Sequence, residues 1–176
     1  MIKKVKLILV IIIFILSFIC HFAYELAPNF ISSIIFPVNE SIWEHMKLIA
    51  TPVIIGSIFE YIYYKRKKIN CNNFILSYGI SIILGISFYL AIYMPIHISF
   101  GHNLYIAIIL LFITHMIIEI ISYYIIKHNK IRYSNIIGIL LMIFIYGVFY
   151  YFTYYPKENI LFLVVKEMII DKKTYK

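Results

Sequence analysis

Five long apolar runs, separated by short polar stretches, constrain the fold of this 176-residue chain more than any other feature. A helix needs about 20 mainly apolar residues to cross the ~30 Å hydrocarbon core of a bilayer. Of the residues, 63% are hydrophobic and only 14% are charged. Because this composition lies outside the range of soluble globular domains, it indicates a multi-pass membrane protein and excludes a soluble catalytic module.

The runs predict an all-α fold, a polytopic transmembrane helical bundle that forms one domain over residues 1–176. The first run resembles a signal peptide, but its end, SFICHF, lacks the small residues that a signal peptidase requires, so we expect a retained span. The tail 154–176 has an apolar stretch too short to cross, which predicts an amphipathic surface segment or one packed back onto the bundle. The predicted spans are approximately 5–24, 44–64, 74–94, 104–126 and 134–153.

The basic residues lie mainly at one end of the predicted bundle. Lys3, Lys4 and Lys6 lie at the start of the first span, KRKK (65–68) follows the second, and three basic residues follow the fourth. By the positive-inside rule these stretches are cytoplasmic, which places the N-terminus inside and, with five spans, the C-terminus outside. The lysines of the tail 154–176 favour the cytoplasmic side for this segment by the same rule. The excess of Ile, Lys, Asn, Tyr and Phe is what A+T-rich codons supply, so we expect a bacterium with such a genome. The protein is then expected in the bacterial cytoplasmic membrane.

The segment from Glu25 to Ser41 joins the first two spans on the outer side. Its sequence LAPNFISSIIFP is too apolar for an exterior loop and too short to span, and Pro28 and Pro37 at its ends break helices. Non-helical backbone at membrane depth must be buried in protein or line a wet cavity. We therefore expect a re-entrant or interfacial segment between spans one and two.

The next stretch, PVNESIWEHMK (37–47), is unusually dense in polar residues. Ser41 followed by Glu44 predicts a helix capping box, with Asn39 as an alternative N-cap. Trp43 suits a membrane interface. Capping does not explain two carboxylates at helical spacing beside an imidazole. The ionisable groups left unexplained are Glu40, His45 and Lys47.

Two His-x-x-x-Glu pairs add to this set. His21 and Glu25 share a helix face near the outer end of the first span, and His115 and Glu119 repeat the spacing deep in the fourth. Ionisable groups in a span cost about 2.5–3.5 kcal/mol each, so they normally face the bundle interior and mark a functional site. We interpret His115 and Glu119 as facing a cavity, with a satisfied interhelical hydrogen bond as the alternative.

Glu60 lies at a depth similar to that of Glu119, counted along the helices at ~1.5 Å per residue. The two carboxylates would then meet in the inner half of the membrane and share a proton. The competing interpretation is that Glu60 pairs with Lys65 or extends to the interface.

The groups at the outer end favour a zinc site. Histidine and glutamate side chains four residues apart share a helix face, and a catalytic zinc takes three protein ligands and a water. His97 and His102 are expected in the outer loop MPIHISFGHN. For any one histidine the alternative is a polar contact within the bundle, and no HExxH motif is present. The candidate ligands are His21, Glu25, Glu44, His45 and His102.

Three segments carry a resemblance to a known family. HFAYE (21–25), PVNESIWEHMK (37–47) and HMIIE (115–119), in a chain of this length and span number, resemble a family of small bacterial integral membrane proteins of unknown function. The PVNESxWEHxK motif is the specific part, and the resemblance covers nearly the whole chain. It implies a fold class and a membrane location, and it implies no substrate.

Three function classes fit these residues. The first is a small transport or membrane-embedded ligand-binding protein with an outer-facing His/Glu cavity, acting with transporter partner subunits or as a homo-oligomer. The second is an intramembrane zinc hydrolase acting on a lipid or peptide. The third is a membrane scaffold subunit. The catalytic candidates are Glu40, Glu44, His115 and Glu119, and the further polar-cavity candidates are Asn39, Lys47 and Glu60.

Other chemistries find no support in the sequence. It contains no GxSxG motif, no phosphate-binding glycine loop and no nucleic-acid-binding signature. We interpret the basic groups as contacts with the head groups of the lipid bilayer.

Overall fold

The chain forms an all-helical bundle, which a computed structural model describes for residues 1–163. Five helices are long and apolar enough to cross a membrane, with α3 and α4 counted as one, and no strand occurs in the described part. The predicted fold class is therefore confirmed. The helices are α1 Ile2–Leu26, α2 Phe30–Ile35, α3 Ile42–His45, α4 Lys47–Arg66, α5 Phe74–Phe100, α6 Leu104–Lys127 and α7 Ser134–Tyr154.

Consecutive long helices run in opposite directions, so the bundle has two ends. We call the end that holds Met1 and the loops 67–73 and 128–133 the basic end. The opposite end, which holds His21, His45 and the short loop 101–103, is the histidine end. Every long helix thus connects a lysine-rich end to a histidine-rich end, as the charge distribution predicts.

Helices α1, α4, α5 and α6 surround most of the core, and α7 packs against α5 and adds Ile145 and Phe149 to it. The contact between α5 and α7 is close, because a Cβ on Gly138 would lie 2.5 Å from the backbone nitrogen of Leu76. The outward faces carry many exposed apolar side chains, such as Ile139, Leu140 and Ile143 of α7. Such a surface suits lipid rather than water.

Helix α5 is longer than predicted, and this moves one histidine out of the predicted loop. Pro95 removes one helical hydrogen bond without ending the helix, which continues to Phe100 and stops at Gly101, where φ is 80° and a side chain is disfavoured. The prediction that His97 lies in the outer loop is wrong, since it is a buried residue of α5. His102 does lie in the loop.

A proline in α4 creates a polar contact between helices. Pro52 has no N–H, so the carbonyl of Leu48 loses its usual partner one turn later. Ser17 of α1 donates its hydroxyl to that carbonyl at 3.2 Å. The proline therefore exposes a buried acceptor that a neighbouring helix satisfies.

The start of the tail folds back over the histidine end. Residues 155–163 form turns, and the N–H of Trp43 donates to the carbonyl of Leu161 at 2.9 Å. The ring of Phe162 packs on Trp43 with centroids 5.5 Å apart. The described part of the tail thus packs onto the bundle, and residues 164–176 of the predicted amphipathic tail lie outside the described residues.

Candidate functional site

The segment between α1 and α4 closes the histidine end and positions the polar residues there. Asn29 caps α2, because its Oδ1 accepts the N–H of Ser32 while the Ser32 hydroxyl accepts the N–H of Asn29, both at 2.9 Å. The hydroxyls of Ser33 and Tyr154 are 2.8 Å apart. The segment predicted to be re-entrant or interfacial is therefore a short helix that lies against α7.

Ser41 begins α3 as its N-cap, as the sequence predicts. Its hydroxyl accepts the N–H of Glu44 at 3.3 Å, and Asn39 Oδ1 accepts the N–H of Ser41 at 2.9 Å. Asn39 thus takes the role that the Glu44 carboxylate would have in a full capping box. The Glu44 side chain is free to point elsewhere.

Glu44 forms a buried ion pair with Lys47. The Lys47 Nζ lies 2.6 Å from Glu44 Oε2 and also donates to the Ser33 carbonyl at 2.7 Å and the Thr153 hydroxyl at 2.8 Å. Glu44 accepts the N–H of Val38 at 3.0 Å and the Thr153 hydroxyl at 2.7 Å. Both side chains are at most 2% exposed. These contacts join α2, α4 and α7, which is a structural role.

His21, Glu40 and His45 come together on the outer surface of the histidine end, and we call them the His–Glu triad. Each offers one ligand atom, and these atoms all lie within 4.8 Å of one another. Glu40 Oε2 is 3.4 Å from His45 Nε2 and 3.7 Å from His21 Nε2. Within residues 1–163 this is the one group of three side chains so arranged.

Two separations in the triad are close to those of a tetrahedral metal site. With metal–ligand bonds of about 2.0–2.1 Å, neighbouring ligand atoms of a tetrahedron lie about 3.3–3.4 Å apart. Glu40 lies 3.4 and 3.7 Å from the two histidine nitrogens. The ligand atoms of the two histidines lie within 4.8 Å of each other, so side-chain shifts would bring all three atoms onto one ion.

The imidazole of His45 is already oriented as a ligand. Its Nδ1 lies 2.7 Å from the carbonyl of Ser41, and because a carbonyl only accepts, the proton is on Nδ1. Nε2, which faces Glu40 at 3.4 Å, is then the nitrogen left for a metal ion. Metal-bound histidines usually have this second hydrogen bond, which fixes the tautomer and the ring.

The triad is partly open to water. The side chains of His21 and His45 are each 27% exposed and that of Glu40 is 50% exposed. The hydrogen bond from His45 lowers the pKa of Glu40, so the carboxylate stays ionised in neutral solution. A negative oxygen between two imidazoles in a site open to water attracts a cation.

A small cavity lies beside the triad. It measures about 20 Å³, room for one water molecule, and Glu40, His45, His102 and Tyr93 are among the residues that line it. His102 Nδ1 and the Tyr93 hydroxyl are 2.7 Å apart. Burial lowers the pKa of His102, which keeps its ring neutral near pH 7.

Two predicted site residues are exposed, and neither belongs to the triad nor lines the cavity. Glu25 is exposed near the end of α1, and Asn39 is exposed in the turn before α3. Glu25 does not belong to the His–Glu triad, although it follows His21 by one helical turn. The partner of His21 is Glu40, which comes from the connecting segment.

A second polar group is buried in the half of the bundle nearer the basic end. Lys6 Nζ lies 3.0 Å from Glu60 Oε1 and 2.9 Å from Glu119 Oε2. It also contacts the hydroxyls of Tyr78 at 2.9 Å and Ser122 at 2.7 Å. We call these five residues the Lys6 cluster. It contains one ammonium and two carboxylates, so one added proton makes it neutral.

Glu60 and Glu119 do approach each other, and Lys6 lies between them. From the sequence, this lysine indicated only the orientation in the membrane. Glu60 pairs with Lys6 and not with Lys65, and it accepts the hydroxyls of Tyr64 at 2.6 Å and of Tyr78. The position of Lys6 inside the predicted first span was the available signal, because a buried cation requires an acidic partner.

His115 is fully buried on α6, one helical turn before Glu119. It lies beside the backbone of Leu48, but neither of its ring nitrogens forms a hydrogen bond within the described residues. His115 thus belongs to the contact between α4 and α6. The cavity and the interhelical hydrogen bond that the sequence offers for this residue both remain predictions.

The fold and this geometry define a class: a small helical bundle with five candidate membrane spans, a buried Lys–Glu cluster and a surface His–Glu triad. The chain belongs to a family of unknown function (DUF6512), whose model matches residues 1–168. No curated protein and no solved structure matches it.

Proposed function

We propose that this protein is a membrane-embedded binding protein for a divalent transition metal ion, with zinc as the best fit. The ion is held at the histidine end by His21, Glu40 and His45. The observation that carries the proposal is that three ligand atoms on three separate elements converge within 4.8 Å. Because the three residues come from α1, the connecting segment and α3, they meet only in the folded chain. A chance pair of neighbouring surface residues would not require the fold.

The donor set selects the class of metal. Two imidazole nitrogens and one carboxylate oxygen suit zinc and its neighbours, whereas calcium and magnesium prefer six or more oxygen ligands. Three protein ligands leave a fourth position open to water. In the bacterial cytoplasmic membrane, with the basic end inside by the positive-inside rule, the triad faces outward and takes its metal from outside the cell.

A transport role within this proposal requires a partner. The described residues hold one group of three metal-binding side chains, and it lies at one end of the bundle. An ion that leaves it would pass to a partner subunit of a larger transporter or to a second copy of this chain. The size of the protein and its number of spans suit such a membrane-embedded binding subunit.

The test is the metal content of the purified protein. The protein is prepared in detergent without a metal-binding affinity tag, incubated with equimolar zinc, desalted and measured by elemental mass spectrometry. We expect about one zinc per chain for the wild type and a loss of most of it in His45→Ala. Removing a residue that binds the metal directly should lower the affinity by more than the 10–100-fold seen for residues that only support a ligand. Exposed His128 is at the basic end, so His128→Ala is the matched control and keeps its zinc. No zinc in the wild type overturns the proposal.

A second candidate function is metal-dependent hydrolysis of a lipid or peptide at the outer leaflet. The observation that favours it is the one-water cavity between the triad and His102. A neutral imidazole there is placed to accept a proton from a water that attacks a carbonyl carbon, as a general base does. In this case His102→Ala keeps the metal and loses hydrolysis. Full hydrolytic activity in that variant would contradict the assignment of His102.

A further inference from the structure

A long groove runs between α1 and α6 in the half of the bundle nearer the basic end. Its volume is about 420 Å³, within the range of about 300–1,000 Å³ that is usual for ligand sites. Leu7, Ile11 and Ile120 on its walls are exposed, so the groove opens on the flank of the bundle. Its apolar lining consists of Leu7, Val10, Ile11, Phe112, Met116 and Ile120.

Two lysines lie beside Tyr123 at the basic end of this groove: Lys3, which lines it, and Lys127, which does not. Lys3 Nζ of α1 lies 5.8 Å from the ring centroid of Tyr123, and Lys127 Nζ of α6 lies 5.3 Å from the same centroid. Lys127 also donates to the Tyr123 hydroxyl at 3.3 Å. Within residues 1–163, neither ammonium lies within 4.0 Å of a carboxylate. Their charges are therefore available to an external anion.

The inner wall of the groove is polar but already satisfied. Lys6 and Glu119 line it, and each is occupied in the Lys6 cluster. Their side chains are only 6% and 2% exposed, so they offer little surface to a ligand. A ligand of the groove thus meets an apolar channel with two unpaired cations at one end.

From this arrangement we propose that the groove binds one anionic phospholipid of the bilayer. An acyl chain lies along the apolar walls, and the phosphate contacts Lys3 and Lys127. Charge selects the ligand, because the stretches around these lysines contain several further basic residues and no acid. Basic pockets between membrane helices on the cytoplasmic side are known to bind anionic lipid head groups. A bound chain also covers the open side of the Lys6 cluster and keeps water from it.

The test is lipid binding by native mass spectrometry of the full chain in detergent. Phosphatidylglycerol and phosphatidylcholine with identical acyl chains are titrated separately. We expect one phosphatidylglycerol to bind more tightly than phosphatidylcholine, and Lys3→Gln/Lys127→Gln to weaken it roughly 30-fold, the effect of two lysines near a charged lipid. The control Lys67→Gln/Lys68→Gln removes the same charge at the same end, outside the groove lining, and keeps the affinity.

A groove-filling variant tests the acyl-chain part. Leu7 is 67% exposed, so Leu7→Trp fills the groove without disturbing the core, and thermal unfolding verifies that the variant is folded. We expect it to lose phosphatidylglycerol binding with both lysines present. The soluble head group glycerophosphoglycerol should not compete with the lipid.

Four results would overturn the proposal. The first is equal binding of the two lipids, which indicates a non-selective annular contact. The second is an equal effect of the two lysine pairs. The third is unchanged lipid binding in Leu7→Trp, and the fourth is full competition by glycerophosphoglycerol. Either of the last two would mean that no chain enters the groove.

Discussion

The His–Glu triad and the Lys6 cluster are both built from ionisable residues of an oily chain, yet they differ in how far their polar atoms are satisfied. In the Lys6 cluster the acidic and basic side chains are at most 6% exposed, and Lys6 meets two carboxylates and two hydroxyls. In the triad a half-exposed carboxylate faces two imidazoles at 3.4 and 3.7 Å. The cluster can hold helices together, whereas the triad has a ligand position still open.

This difference assigns separate roles to groups that look alike in the sequence. A buried, mutually satisfied ion pair that loses one member leaves an uncompensated charge. A surface group with an open ligand position loses binding when a member is removed, while the fold is retained. We therefore expect substitutions in the Lys6 cluster to lower stability, and substitutions in the His–Glu triad to abolish metal binding while the fold is retained.

The largest expected effect is on stability, from Lys6→Met. The variant leaves Glu60 and Glu119 buried without their cation, so the free energy of unfolding should fall by about 3–5 kcal/mol. Denaturation in mixed detergent micelles, followed by circular dichroism, measures it. Lys3→Met is the control, because Lys3 is exposed on the same helix and should change stability by less than about 0.5 kcal/mol. Equal effects of the two variants would mean that the cluster does not stabilise the bundle.

A charge-free cluster sharpens this result. Lys6→Met combined with Glu60→Gln and Glu119→Gln removes all three charges while keeping similar volumes. We expect the triple variant to recover about 2 kcal/mol or more of the loss caused by Lys6→Met alone, since no unpaired charge stays buried. If the losses simply add, the stabilisation comes from packing and not from charge pairing. The measurement is the same micellar denaturation.

The His–Glu triad should respond in the opposite way, with a change in metal binding and none in metal-free stability. Zinc at 100 times its dissociation constant should stabilise the wild type by about 2.7 kcal/mol. Glu40→Gln should abolish this gain and leave the metal-free stability unchanged, because Glu40 is half exposed. Glu25→Gln is the control, as Glu25 is an exposed acid near the same end. A zinc-dependent gain that survives in Glu40→Gln would place the metal elsewhere.

Much of this comparison could be predicted from the sequence, and the rest required the packing of the helices. The five spans follow from apolar run length, and the similar depths of Glu60 and Glu119 follow from helical rise. The bridging role of Lys6 did not follow, because helix rotation decides which side chains meet. Lys6 also fits the positive-inside pattern, which hides a buried lysine among interfacial ones.

The triad could be predicted in part as well. His21 and His45 were candidate ligands, but the other expected ligands were Glu25, Glu44 and His102, and Glu40 was expected as a catalytic group. Glu44 lies three residues before Lys47, a spacing that already indicates an ion pair on one helix turn. Glu40 is brought to the two histidines by a non-helical turn, whose course no periodicity describes.

Acidic pH should release the metal from the triad. Histidines bind metal only when neutral, and protons compete with zinc for their nitrogens as the pH falls from about 8 to about 5. The pKa of Glu40 is lowered by its hydrogen bond with His45, so this carboxylate stays ionised over the same range. The zinc-dependent stabilisation should therefore weaken as the pH is lowered across this range. Thermal unfolding with and without zinc across this range measures it, and a gain that persists at pH 5 would argue against histidine ligands.

The smallest expected effect is that of His102→Ala on metal binding. His102 lines the neighbouring cavity and does not belong to the triad. Zinc affinity measured by competition with a chromophoric chelator should change by less than about threefold, less than the 10–100-fold typical of an outer-shell partner. A loss as large as that of His21→Ala would make His102 a fourth ligand and convert the site into a closed, structural one.

X-ray absorption at the zinc edge of the loaded protein distinguishes a zinc ion on the His–Glu triad from one bound elsewhere. Zinc on the triad should show a shell of four nitrogen and oxygen atoms at about 2.0–2.1 Å, with the outer scattering of two imidazole rings. In Glu40→Gln this shell should be lost or altered. A sulfur atom at about 2.3 Å would instead place the ion on Cys20 or Cys71, and a shell of oxygen atoms alone would show surface-bound metal; either result would contradict the assignment.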